Sequence, residues 1–223
     1  MISVIIPAYN EEQALPATLQ RLAEQGTEHE VIVVDGGSAD RTCEIARSTA
    51  RVQLLFAPKG RAAQMNAGAR IARGEWLLFL HADTLLPKNA LRKITDLESG
   101  VQAGGFKHRF SGQDWRLRLI SWMNNLRCKI THVIYGDQAM FVRRALFERI
   151  GGFPEQTVLE DVALCEKLLP VTRPVILDEC AITDARKFIK HGVWRSLMRV
   201  AVILIRVQFR WALRSKTFFE DVR

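Results

Sequence analysis

Over the first hundred residues, short apolar runs alternate with amphipathic stretches. Ile2-Ser3-Val4-Ile5-Ile6 is almost wholly apolar and stops at Pro7. So short a run, without polar alternation, predicts a strand buried on both faces, as in a parallel sheet. A helical pattern over about residues 11–25 ends at Gly26. Residues 31–34 predict a second strand closing on Asp35-Gly36-Gly37, and Ser38 has the residue type of an N-cap for a helix to about 49. Residues 52–56 predict a third strand, 61–72 a helix ending near Gly74, and 76–80 a fourth strand closing on His81-Ala82-Asp83; Pro87 then opens another helix.

This βαβαβαβ order predicts an α/β fold with a mostly parallel central sheet, right-handed crossovers and flanking helices. In such open sheets ligands sit beyond the carboxyl ends of the strands. Tyr9, Asn10, Asp35 and Asp83 therefore fall on one rim. From about residue 100 the rhythm changes. Residues 101–110 predict a strand bent at Gly104-Gly105, and 114–130 a helix rich in Trp, Arg and Leu. Residues 139–142 predict a strand, 144–150 a short helix ending at Gly151-Gly152, 160–169 a helix and 175–177 a last strand. No repeat, low-complexity tract or linker divides the chain. One domain is expected over 1–223, with a ligand-binding half at about 1–98, a second half at about 99–190 and a C-terminal amphipathic helix at about 191–214.

Composition narrows the classes. At 48% apolar and 25% charged over 223 residues, the chain is that of a folded protein rather than a disordered one. Thirty-two basic against 24 acidic residues give +8, which suits an anionic ligand or surface. Nucleic acid is not the expected partner, because the basic residues are dispersed and lack the interleaved aromatics of a stacking platform. Cys43, Cys128, Cys165 and Cys180 form no CxxC or zinc spacing and read as reduced thiols of a cytoplasmic protein. Met1 leads straight into a strand, so no signal peptide is expected. No 18 uncharged apolar residues run together; the apolar run 200–205 is bounded by Arg199 and Arg206.

Four groups carry candidate chemistry. Asp35, after a buried strand and before two glycines, can accept hydrogen bonds from a base or ribose, or can cap the next helix. Asp83 is a hard-oxygen ligand suited to a divalent metal on a diphosphate, or a helix-proximal acid beside Thr84. Glu160-Asp161 either offers a general base or favours a helix dipole. Lys59-Gly60-Arg61 can meet phosphates at a helix start, or is solvated charge.

Taken in order, these segments resemble family 2 glycosyltransferases of the GT-A fold. Val4-Ile5-Ile6-Pro7-Ala8-Tyr9-Asn10-Glu11-Glu12 is similar to that family's opening motif. Val33-Val34-Asp35-Gly36-Gly37-Ser38-Ala39-Asp40-Arg41-Thr42 is similar to its second, and Gly60 to Gly68 to its third. Leu80-His81-Ala82-Asp83 stands where the family has DxD. Gly136-Asp137-Gln138-Ala139-Met140-Phe141, Gly151-Gly152-Phe153-Pro154 and Glu160-Asp161 resemble its acceptor region. The likeness covers about residues 1–170. It implies an inverting transfer from a nucleotide-sugar, a UDP-sugar being favoured, to an acceptor hydroxyl. Pro7, Tyr9 and Glu11 would line the nucleoside pocket, Asp35 would bind the base, and Arg61 would lie near base or phosphate. Asp83 would bind Mn²⁺ or Mg²⁺, and Asp161 would be the base. His81 departs from the family's first DxD acid; it can hydrogen-bond or ligate the metal. The chain length, HADT and GDQAMF also resemble a compact bacterial subgroup, the radical-SAM/selenodomain-associated transferases, some linked to arsenosugars.

Toward the C-terminus the likeness fades. Arg186 and His191 occupy the region where relatives place a diphosphate-binding loop. Over 192–214, Arg195, Arg199, Arg206, Arg210 and Arg214 share a sector of about 100°. The opposite apolar face suits either packing on the domain or on a second copy in a homodimer, or an anionic membrane at its cytoplasmic face. Two other functions remain open: a sugar-1-phosphate nucleotidyltransferase, whose glycine-rich basic loop is replaced here by Pro7-Ala8-Tyr9-Asn10, and a non-catalytic nucleotide-sugar-binding or membrane-attached subunit.

Overall fold

A computed structural model describes residues 1–154, 159–190, 192–195 and 198. Strands β1 (Ile2–Ala8), β2 (His29–Asp35), β3 (Val52–Phe56) and β4 (Trp76–Phe79) alternate with helices α1 (Leu15–Ala23), α2 (Thr42–Ser48) and α3 (Arg61–Ile71). Then come β5 (Thr84–Leu85), α4 (Ala90–Thr95), β6 (Ala103–Phe110), α5 (Trp115–Thr131), β7 (Phe141–Arg143), α6 (Arg144–Arg149), α7 (Glu160–Leu168), β8 (Val175–Thr183) and α8 (Arg186–Lys190). All strands join one sheet in the order β3-β2-β1-β4-β7-β6-β8-β5. The pairs among β3, β2, β1 and β4 are parallel, as expected. Beyond β4 the sheet is mixed: β7 runs antiparallel to β4 and β6, and β5 antiparallel to β8, while β6 and β8 are parallel.

The apolar run of β1 explains its central place. All seven of its residues are buried. Ile2, Val4 and Ile6 join the core cluster of Leu15, Leu19 and Leu22 on one face. Ile5 joins Met65, Leu77 and Phe79 on the other. A strand walled by helices on both sides needs apolar residues at every position rather than every second one.

Several boundaries moved, each for a local reason. Helix α2 begins at Thr42, not after Ser38, because the Ser38 hydroxyl donates to Asp35. Helix α1 begins at Leu15 because the Glu11 and Glu12 amides donate to Thr42 and Asp40 across the rim. Helix α4 starts three residues after Pro87, whose carbonyl accepts from Ala90 and from Gln25. β8 runs on to Thr183, past Asp178 and Glu179, which broke the apolar pattern. Those acids point to solvent-side partners, Lys107 at 2.7 Å and Lys93 at 2.6 Å. β5 is two residues long, too short for any periodicity to reveal. The helix expected over 191–214 lies, but for residues 192–195 and 198, outside the described residues.

Gly104 stands between β7 and β8. A Cβ there would lie 2.4 Å from Phe141 Cζ and 2.7 Å from the Val175 carbonyl. Gly104→Ala is expected to lower stability by about 2–3 kcal/mol, because a core ring and a ladder carbonyl must both shift. Urea denaturation should show a lower midpoint with an unchanged m-value. A loss near zero would mean that Phe141 can turn aside.

Candidate active site

The rim is built by two loops that hold each other. Past β1, Asn10 takes a left-handed conformation at φ 54°, which Asn tolerates better than most residues. Its amide donates to Ser38 Oγ at 2.9 Å, and its Oδ1 accepts from the Ala39 amide at 2.9 Å. Below them sits Asp35, 1% exposed. Its carboxylate accepts from the amides of Gly37 (2.7 Å) and Ser38 (2.9 Å) and from the Ser38 hydroxyl. Asp35 thus shapes the loop after β2 and does not line the cleft described next. Asp35→Ala is expected to cost the ligand-free protein about 2–4 kcal/mol, since three donors lose a charged acceptor. Equilibrium unfolding without any ligand is the measurement; unchanged stability would contradict the loop role.

The rim encloses a small cleft open to solvent. Pro7, Ala8, Tyr9, Glu11, Lys59, Arg61, Gln64, His81, Ala82 and Asp83 line it. Six residues picked out in the sequence therefore meet in one place: Pro7, Tyr9, Glu11, Arg61, His81 and Asp83. Of the other four lining residues, Lys59 was named in the sequence with Gly60 and Arg61, while Ala8, Gln64 and Ala82 were not taken as site residues. Lys59 holds its ammonium 3.9 Å over the Tyr9 ring, a cation–π contact that fixes both. Buried Gln64 donates to the carbonyls of Ala8 (2.8 Å) and Val34 (2.7 Å), tying α3 to the ends of β1 and β2. Ala82 lends its carbonyl to Thr18 at 2.7 Å, which fixes the turn that carries His81 and Asp83. Lys59 and Gln64 belong to segments already noted in the sequence, but their individual roles depend on contacts across elements.

Arg186 reaches the mouth of the cleft from α8. Its guanidinium donates to Glu11 at 2.7 Å and to Gln13 at 3.1 Å, and lies 3.5 Å from Asp184. His191 lies outside the described residues.

Asp161 does not line the cleft but abuts it through Gly136. The Gly136 amide donates to Asp161 Oδ2 at 2.6 Å. On the same residue, a Cβ would stand only 2.4 Å from His81 Nε2. One glycine thus separates a strand-end histidine from a helix-start carboxylate. Glu160, buried beside it, lies 3.9 Å from Arg61 of the cleft. Half-buried Asp161 has its carboxyl pKa pushed up to about 7. Loss of water is the main cause and the Glu160 charge the second, against hydrogen bonds from Gly136 and Val162 and the charge of Arg61. Two non-glycine residues flank these groups in left-handed conformations, Ala139 at φ 47° and Leu159 at φ 56°. Such strain concentrates where a backbone is held for a purpose. Gly136 carries no chemistry in its side chain; only its place in the GDQ segment marked it in the sequence.

Among the described residues, no group of three His, Cys, Asp or Glu side chains could hold a metal unaided. The donor set nonetheless fits a hard divalent cation. Mg²⁺ and Mn²⁺ at phosphate sites take one or two carboxylates and fill the remaining positions with phosphate oxygens and water. Asp83 and His81 supply that partial set in one cleft that also holds Lys59 and Arg61.

Residues 3–151 match the sequence model of glycosyl transferase family 2. The chain belongs to that family. Among curated relatives, it is 34% identical over 178 residues to a PGL/p-HBAD biosynthesis glycosyltransferase of Mycobacterium bovis, covering 69% of this chain and 63% of that protein. It is 30% identical over 156 residues to an undecaprenyl-phosphate 4-deoxy-4-formamido-L-arabinose transferase of Aeromonas hydrophila, covering 64% of this chain and 48% of that one. The chain thus spans 48% to 63% of the length of these relatives. Among solved structures, the mannosyltransferase PcManGT from Pyrobaculum calidifontis, in complex with GDP-Man and Mn²⁺, superposes with TM-score 0.69 at 21% identity, over 99% of this chain and 67% of that one. S. aureus TarS 1-349 in complex with UDP gives TM-score 0.67 at 23% identity, over 82% and 60%. These structural likenesses show the fold, a mixed α/β sheet with flanking helices of the GT-A type. None of these comparisons adds support to the narrower likeness to radical-SAM-associated transferases.

Proposed function

We propose that this chain transfers a sugar from a nucleoside-diphosphate donor to an acceptor hydroxyl with inversion at the anomeric carbon. One observation carries the reading: in a family 2 chain, Pro7, Tyr9, Glu11, Arg61, His81 and Asp83 share one cleft, and Asp161 stands against its wall. The donor half is residues 1–98 and the acceptor half 99–190 of one domain. Pro7 and Tyr9 supply the apolar surface for a nucleoside, with Lys59 clamping the Tyr9 ring. Asp35 acts on the base through the loop it holds. Arg61 and Lys59 offer positive charge to a diphosphate, and Arg186, held at the mouth by Glu11, is placed to turn inward onto it. Solved relatives in complex with UDP-GlcNAc and GDP-Man support a nucleotide-sugar donor. A UDP-sugar is the favoured one.

Asp161 takes the proton from the acceptor hydroxyl. The oxygen then attacks the anomeric carbon as the bond to the diphosphate breaks on the opposite side. A carboxylate whose pKa is near 7 is matched to this task, being about half ionised at neutral pH and basic enough to accept a proton. Asp83, with His81 beside it, would hold Mn²⁺ or Mg²⁺, which when bound neutralises charge on the leaving diphosphate.

The test is a thermal-shift screen of UDP-, GDP- and dTDP-sugars with and without Mn²⁺ or Mg²⁺, followed by an assay for nucleoside diphosphate release. A ligand that binds only the folded state raises the melting temperature. The expected result is a rise with one sugar nucleotide, larger with metal, and slow hydrolytic release of its diphosphate. Pyrophosphate release from a nucleoside triphosphate and a sugar phosphate would instead make it a nucleotidyltransferase. Binding without turnover over a broad acceptor panel would make it a binding subunit.

A further inference from the structure

Helix α5 carries a second surface, distinct from the cleft and independent of the transfer reaction. Its Leu117, Ser121 and Cys128 are buried against the domain. On its far side Trp115, Leu119, Trp122, Met123, Leu126 and Ile130 are all exposed, with Trp115 at 65%, Trp122 at 62% and Ile130 at 69%. At 3.6 residues per turn these six occupy a sector of about 100°, centred opposite Leu117 and Cys128. Single exposed apolar residues need no explanation, but a continuous stripe of six large ones marks an interaction surface. Ile189 and Trp194 are also exposed, on the segment whose Phe188 and Val193 pack with Leu117.

The charges beside the stripe select the partner. Helix α5 contains no Asp or Glu and four cations, Arg116, Arg118, Arg127 and Lys129. On helical spacing Arg118 and Lys129 flank one edge of the stripe, both exposed, and Arg116 and Arg127 flank the other. Arg116 is paired with Asp114, and Arg127 stacks on Tyr135 at 3.6 Å. Asp178, the acid near Lys129, is already paired with Lys107 at 2.7 Å.

We propose that this face of α5 docks on an anionic phospholipid surface. The six apolar side chains enter the boundary between headgroups and acyl chains, and Arg118 and Lys129 meet lipid phosphates. Tryptophan suits that boundary, with an apolar ring and one polar N–H. No helix among the described residues is long and apolar enough to cross a membrane, so α5 lies in the plane of the surface, as cationic amphipathic helices do. A second copy is a poorer occupant: both edges of the stripe are cationic, so pairing two copies sets cations against cations. The chain's own residues 199–214 have an apolar face, but they would bring Arg199, Arg206, Arg210 and Arg214 beside the cations already at both edges of the stripe.

The test is co-sedimentation of the full chain with vesicles of equal parts phosphatidylglycerol and phosphatidylcholine, against vesicles of phosphatidylcholine alone. The expected result is binding to the anionic vesicles about tenfold or more stronger than to the neutral ones. Trp122→Ser with Leu126→Ser, and separately Arg118→Gln with Lys129→Gln, should each weaken it about tenfold. All four side chains are exposed, so melting temperatures should stay at the parent value. The proposal is overturned if the parent protein does not sediment, or if neutral vesicles bind it equally. It is also overturned if Trp122→Ser with Leu126→Ser leaves binding intact while Arg206→Ala with Arg210→Ala removes it. A dimer on size-exclusion chromatography that the Trp122 and Leu126 changes dissolve, without vesicle binding, would assign the face to a second copy instead.

Discussion

Asp161→Asn is expected to lower the transfer rate by about 10²–10⁴-fold while donor affinity stays within about threefold of the parent, because general-base catalysis is lost and the donor cleft is kept. Two pH experiments separate a base from a merely structural carboxylate. In the parent enzyme kcat/KM should fall about tenfold per pH unit below about 7, as the carboxylate becomes protonated. The second experiment is stability. The fold raises this carboxyl from 3.8 to about 7, so between those values the folded chain binds more protons than the unfolded one. Ionising Asp161 therefore works against folding, and its contribution to stability declines as pH rises from about 4 to about 7. Asparagine removes that decline. The stability of Asp161→Asn relative to the parent should improve by roughly 2–4 kcal/mol on going from pH 4 to pH 8. Any fixed loss from the altered hydrogen bonds to Gly136 and Val162 cancels in that comparison. A variant that turns over normally would exclude Asp161 as the base, whatever its stability.

How far the site was legible in the sequence depends on how locally each part is determined. The strands β1, β2 and β4 could be read because burial leaves an apolar run that stops where the loop begins, whereas β3 is a half-exposed edge strand marked by Val52, Leu54 and Leu55. Strand ends then placed Tyr9, Asn10, Asp35 and Asp83 on one rim by topology alone, and the structure brings Tyr9 and Asp83 of these into one cleft. Asp35 shows the limit of that argument. A strand-end acid can face a ligand or fold back onto its own loop, and only the three hydrogen bonds from Gly37 and Ser38 reveal that it folds back. The contact between Asp161 and the cleft was beyond any local pattern. It runs through Gly136, 25 residues away, whose amide holds the carboxylate and whose missing side chain admits His81. Nor could the antiparallel β7 be foreseen, since three residues inserted between β4 and β6 carry too little periodicity to fix a direction. The apolar stripe of α5 hid in plain view: Trp, Leu and Met at helical spacing ordinarily signal a core face, and here the core lies on the opposite side.

The departure at His81 leads to the second large effect. Two carboxylates line the cleft, Glu11 and Asp83, and Glu11 is engaged by Arg186 at 2.7 Å. Asp83, which stands at the last acidic position of the family's DxD, is the carboxylate to which metal-dependent donor binding should be most sensitive. Asp83→Ala is expected to lower transfer by about 10³-fold, close to 4 kcal/mol of transition-state stabilisation. It should also abolish the extra thermal shift that Mn²⁺ gives with the donor, leaving the metal-free shift in place. His81 stands differently. Its ring is wedged so closely against Gly136 that a single added carbon there would clash, and a side chain held by packing has its main effect on placement. His81→Ala should raise the donor KM by about tenfold and change kcat by less than about threefold, the pattern of lost binding shared by ground and transition states. If instead His81→Ala matches Asp83→Ala in both turnover and the lost Mn²⁺ shift, the histidine is a metal ligand of equal standing. The pair would then do together what two acids do in the family's usual motif. Steady-state kinetics of the two variants at saturating and limiting Mn²⁺ decide between these outcomes, because a positioning residue leaves the metal dependence of kcat unchanged and a ligand shifts it.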